Sequence, residues 1–185
     1  HRCVSREMIK LAARAGIIGP ALFGFVLTIL TILKFDFLLK LDWHPINDPT
    51  FDWPSGLALG AYGWIMTLTF ILSGLMMTIF ASGLRLSLPR SRLNLIATFA
   101  LSLAGLALAG LSFTTGRPPR STPATWHGRL HDLSFVLLGL TLIPSMILLG
   151  FAFHKTDLWK GFAVYTWITA ALALPTFWLK GAAFY

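Results

Sequence analysis

Five apolar runs alternate with short polar segments along this chain, at about 15–38, 57–83, 93–113, 127–153 and 161–180. A helix of about 20 apolar residues spans the ~30 Å hydrocarbon core of a bilayer, and each run reaches that length. The pattern predicts an all-α fold: a polytopic transmembrane helix bundle, one domain over residues 1–185, with five spans in these residues. An odd number of spans leaves Tyr185 on the opposite side from the start, so a sixth span in the full chain is expected.

The polar segments sharpen the picture. Pro20 falls near the start of the first run, Pro144 inside the fourth and Pro175 late in the fifth, where packed kinks are expected. Asp36 and Lys40 stand four apart after the first run, a spacing that shares one helical face and carries the helix into the interface. Segment 42–55, DWHPINDPTFDWPS, holds three prolines and three aspartates, so it reads as a watered loop with Trp43 and Trp53 at headgroup level. In the third run Ala100, Ala104, Gly105, Ala109 and Gly110 form a small-residue stripe suited to close helix packing. Pro123 is placed for the first turn of the fourth helix.

Composition agrees: 56% of residues are hydrophobic, 12% are charged and the mean hydropathy is +0.73. Soluble domains carry about 25% charged residues, so a water-soluble fold is excluded. The net charge of +8 raises nucleic acid as a partner, but the Lys and Arg residues punctuate apolar runs instead of gathering on one face, and no nucleic-acid partner is expected. Cys3 is the single cysteine, which rules out an intrachain disulfide or a cysteine-based zinc site.

The basic residues mark the two sides. Arg2, Arg6, Lys10, Arg14, Arg85, Arg90, Arg92, Lys155 and Lys160 face Glu7 and Asp157 on one side. Lys34, Lys40, Arg117, Arg120, Arg129 and Lys180 face Asp36, Asp42, Asp48, Asp52 and Asp132 on the other. The sides carry +7 and +1, which make up the +8, and the positive-inside rule puts the N-terminus in the cytoplasm.

Candidate chemistry gathers on the outer side, where His44, Asp48, Asp52, His127, His131 and Asp132 fall. His127 and His131 are four apart on one helical face, a spacing that suits two ligands of a divalent metal, with Asp48 or Asp132 completing the set. His127, His131 and Asp132 are thus the catalytic candidates, and His127, His131 and Asp48 the metal candidates. Arg129 and His44 are candidates for binding a headgroup or anion. The plainer reading is an interfacial helix start in which Arg129 pairs with Asp132. No ionisable residue falls deep in a run, which ranks a small-solute transporter last.

Several segments together resemble one family. The run 55–67, SGLALGAYGWIMT, the turn Gly83-Leu84-Arg85, the segment 127–132, HGRLHD, and Trp159-Lys160-Gly161 followed by Tyr165 are similar to the polytopic prokaryotic membrane proteins grouped as domain of unknown function 998. Order and spacing match from about Ala15 to Lys180; one departure is Gly56, where an acidic residue often follows the serine. The resemblance implies a bundle of about six transmembrane helices in a prokaryotic cytoplasmic (inner) membrane and carries no established activity. The leading expectation is a non-enzymatic accessory or lipid-interacting bundle whose partners are the bilayer and other membrane subunits; its cofactor is left open between a divalent metal and none. The alternative is a membrane-embedded hydrolase using a divalent metal at the outer His/Asp site.

Overall fold

The computed structural model describes residues 2–41, 43, 53–114 and 125–182. Within them lie α1 (Arg2–Leu33), α2 (Phe35–Lys40), α3 (Trp53–Gly56), α4 (Gly63–Ser87), α5 (Arg92–Gly110), α6 (Trp126–His154) and α7 (Lys160–Ala182), with a single 3-10 turn at Asp157–Trp159. No strand occurs among the described residues. Among the described residues four helices are long and apolar enough to cross a membrane: Arg6–Leu33, Gly63–Ser87, Arg92–Gly110 and Trp126–His154, with mean hydropathies of 2.3, 1.9, 1.8 and 2.3. In hydrocarbon an unpaired backbone group has no water to turn to, so helices that bond internally are the stable form for such segments.

Side-chain caps set two helix starts. Ser91 accepts from the Asn94 amide at 3.1 Å to begin α5, and Thr125 accepts from the Gly128 amide at 3.1 Å to begin α6. Pro123, expected at the first turn of α6, lies outside the described residues. Pro20, Pro144 and Pro175 all sit inside helices that continue past them. Beside Pro144, the buried Ser145 hydroxyl donates to the Leu142 carbonyl at 2.7 Å.

The long helices pack in chain order, α1 on α4, α4 on α5, α5 on α6 and α6 on α7. Close approaches at glycine show that each pair is antiparallel. Gly83 abuts Ala12, Gly16 abuts Phe80 and Gly19 abuts Met76 between α1 and α4. Gly74 meets the Gly105 backbone between α4 and α5, Gly110 meets Ser134 between α5 and α6, and Gly139 and Gly150 meet Phe177 and Trp167 between α6 and α7. Gly105, at the centre of the expected small-residue stripe, therefore packs directly against α4, where a Cβ would meet Thr78 and the Gly74 carbonyl. The alternation brings the first turns of α1 and residues Arg85, Arg90, Arg92, Lys155 and Lys160 to one end of the bundle. Lys34, Ser55 and His131 come to the other. An apolar cluster fills each half, one around Leu30, Met66, Phe70 and Leu138 and one around Ala81, Leu101, Leu149 and Phe153.

Two local expectations are corrected. The first helix does not run unbroken into the interface: it breaks at Lys34, whose backbone leaves the helical region at φ −111° and ψ 19°, and resumes as α2. The second long helix begins at Gly63, not near 57, because Gly60 and Tyr62 adopt φ of 67° and 62° and hold 57–62 in turns. Gly60 is held against the Phe37 ring, where a Cβ would lie 2.9 Å from an aromatic carbon.

Candidate functional site

A buried polar knot closes the less basic end of the bundle. His131 projects inward from the second turn of α6 and is 6% exposed. Its Nδ1 lies 3.1 Å from the Leu111 carbonyl and 2.8 Å from the Phe113 carbonyl. These carbonyls follow the end of α5, where a helix leaves acceptors without internal partners. A carbonyl can only accept, so Nδ1 carries the hydrogen and donates. In the neutral ring Nε2 is then the acceptor, and the Ser55 hydroxyl, 2.8 Å away, donates to it.

Ser55 is itself buried, on α3 just before the turns of 57–62. Those turns leave carbonyls facing inward, and Lys34 answers them: its Nζ donates to the Leu57 carbonyl at 3.0 Å and to the Leu59 carbonyl at 2.6 Å. The same ammonium lies 4.7 Å over the Phe37 ring, an added electrostatic attraction. Lys34, counted among the outer-side cations, is 9% exposed and spends its donors on backbone carbonyls. Ends of α1, α5 and α6 and the short α3 are thereby joined through polar atoms shut off from solvent.

The sequence candidates fall in different surroundings. His131 is inside the knot, whereas His127 is half-exposed and stacks on Trp126 with ring centroids 3.6 Å apart. Arg129 is exposed and Asp132 half-buried, and the expected Arg129–Asp132 pair is not formed: among the described residues the ion pair within 4.0 Å is Lys10–Glu7. His44, Asp48 and Asp52 lie outside the described residues. No group of three or more His, Cys, Asp or Glu side chains is placed to hold a metal among the described residues.

Two participants escaped sequence reasoning. Ser55 stood at the head of the 55–67 run without a visible partner, because its partner is 76 residues away. Lys34 followed an apolar run directly and so resembled a boundary charge. Chemically, the arrangement sets an imidazole nitrogen against a serine hydroxyl in a desolvated setting. Mechanically, the same bonds fasten α3 and the end of α5 to α6.

Apolar helices of spanning length, antiparallel packing and polar closure at one end define a multi-pass, all-helical membrane protein. The family described as protein of unknown function (DUF998) matches residues 24–183, and the chain belongs to that family. No curated protein and no solved structure matches it. Of the residues that carried the resemblance, Ser55, Gly60 and His131 build or border the knot, whereas Gly83 packs on Ala12 near the opposite end.

Proposed function

We propose that this chain is a non-enzymatic, lipid-interacting accessory bundle of the prokaryotic cytoplasmic membrane, with five spans in these residues and a cytoplasmic N-terminus. One observation carries the reading. The long helix that α1 packs along is α4, and the far side of α1 bears Ile17, Phe25, Ile32 and Leu33 at 72%, 68%, 68% and 75% exposure. A span covered on one side only offers its other side to acyl chains or to another subunit's helix, whose association in lipid depends on close packing. Extraction in mild detergent followed by native mass spectrometry tests this. Co-purifying subunits or retained lipids are expected, and a lone, lipid-free monomer contradicts the reading.

A hydrolase is the second reading, favoured by the Ser55–His131 bond. Ser55 Oγ would add to an ester carbonyl carbon while His131 Nε2 takes the hydroxyl proton, and the departing alcohol would take that proton back as the ester bond breaks. Water, deprotonated by the same nitrogen, would then release the acid and restore Ser55. The metal-dependent version draws instead on His127, His131 and Asp48 to activate water. Labelling of Ser55 by a fluorophosphonate, lost in Ser55→Ala, supports the serine version. Stoichiometric metal lost in His127→Ala/His131→Ala supports the other, and neither signal in folded protein ends both.

A further inference from the structure

At the basic end, a groove of about 360 Å³ opens between α4 and α5, lined on one wall by Ser82, Arg85 and Leu86 and on the other by Leu95, Thr98 and Phe99. Nη1 of Arg85 is closed off from solvent and has no hydrogen-bond partner. A charged donor enclosed without an acceptor is costly, so the Arg85 guanidinium, which lines the groove, gains by turning this N–H outward onto an acceptor there. The neighbouring hydroxyls of Ser82, Thr98 and Ser102 do not bond to it. Ser82 donates to the Thr78 carbonyl at 3.0 Å, Thr98 to the Asn94 carbonyl at 2.7 Å and Ser102 to the Thr98 carbonyl at 3.0 Å, so their hydrogens are committed within their own helices.

The rest of the groove is apolar and faces outward: Leu86, Leu95 and Phe99 are 52%, 49% and 62% exposed. Arg85 lies in the last turn of α4, a helix of 25 residues that at 1.5 Å per residue is about 37 Å long. That exceeds the ~30 Å hydrocarbon core and sets the guanidinium at headgroup depth when Trp64, at the other end, lies in its own interface. A guanidinium beside an acyl-facing wall matches a phospholipid, whose phosphate oxygens accept from the planar N–H fork. A free phosphate would trade its water shell for one arginine among hydroxyls that have no hydrogens to give, whereas a lipid is also held by its chains. Arg90, exposed in the adjoining turn, and Arg92, exposed at the start of α5, favour a headgroup of net negative charge.

We propose that this groove binds one anionic phospholipid, its phosphate on Arg85 and an acyl chain along Leu95 and Phe99. The proposal rests on the lipid-interacting reading and gives it a ligand class and a place. The test uses the full chain in detergent with phosphatidylglycerol or phosphatidylcholine added, read by native mass spectrometry, with melting temperature as the folding check. The parent should retain one phosphatidylglycerol in preference to phosphatidylcholine, and millimolar inorganic phosphate should not displace it. Arg85→Gln should weaken retention about tenfold, the loss expected for a charge-assisted bond. Phe99→Ala, which keeps the charge and alters an exposed side chain, should also weaken it. Equal retention by parent and Arg85→Gln overturns the groove while leaving general lipid contact intact. Displacement by phosphate alone overturns the lipid as occupant, and a parent that retains neither lipid overturns the groove and counts against the lipid-interacting reading as well.

Discussion

Ser55 Oγ and His131 Nε2 meet at 2.8 Å across 76 residues of sequence, and the opposite ring nitrogen is held by two carbonyls at the end of α5. One imidazole thus ties three separate segments, with its tautomer set by what the carbonyls can accept. Ser55→Ala should lower stability by about 1–3 kcal/mol, the cost of depriving a buried polar atom of a partner. A double-mutant cycle with His131→Phe, read by unfolding in mixed micelles, should show coupling of about 1 kcal/mol between the two sites. Strict additivity would mean the bond contributes nothing.

Helix contact between α4 and α5 depends on absent side chains. A Cβ on Gly74 would strike the Gly105 carbonyl and lie 2.5 Å from the Ala109 amide nitrogen, both backbone atoms that cannot swing aside. Gly74→Val should therefore cost about 1–3 kcal/mol or more through overpacking and lower the yield of folded monomer. Gly24 and Gly161 have nothing within 4 Å of a built Cβ, so Gly24→Ala and Gly161→Ala should leave size-exclusion profiles and melting temperatures unchanged.

Lys34 supplies the donors for the carbonyls of Leu57 and Leu59. Lys34→Met keeps most of the apolar stem and removes those donors, so it should destabilise by about 1.5–3 kcal/mol, the range for hydrogen bonds to charged groups. Hydrogen exchange should show the loss locally, with faster exchange of the Ala58, Leu59 and Gly63 amides, which close the turns of 57–62. Unchanged exchange there would assign the ordering of these turns to Gly60 and its Phe37 contact alone.

The long apolar helices were legible because hydrophobic length is a property of contiguous residues, and four of them among the described residues are long enough to cross a membrane. The small-residue stripe was legible for the same reason, and Gly105 packs where that stripe implied. His131 was picked out by its neighbours in sequence, yet its surroundings were not, since Ser55 and the Leu111 and Phe113 carbonyls reach it from elsewhere in the chain. The start of α4 was misplaced because 57–62 is apolar enough to read as helix; only the left-handed backbone at Gly60 and Tyr62 interrupts it. The burial of Lys34 was not legible because a lysine beside an apolar run commonly reaches for water, whereas here two inward carbonyls are closer.

The arrangement of the ends is the claim on which the rest stands: antiparallel packing puts the polar knot and the Arg85 groove at opposite ends of the bundle, and the proposed topology sets those ends on opposite sides of the membrane. Thr114 and Arg90 are exposed at these two ends. With Cys3→Ser as background, Thr114→Cys and Arg90→Cys should be probed with a membrane-impermeant maleimide in intact cells and after permeabilisation. Labelling of Thr114→Cys in intact cells, and of Arg90→Cys only once the membrane is opened, is the predicted result. Equal access to both positions from one side of a sealed membrane would contradict it.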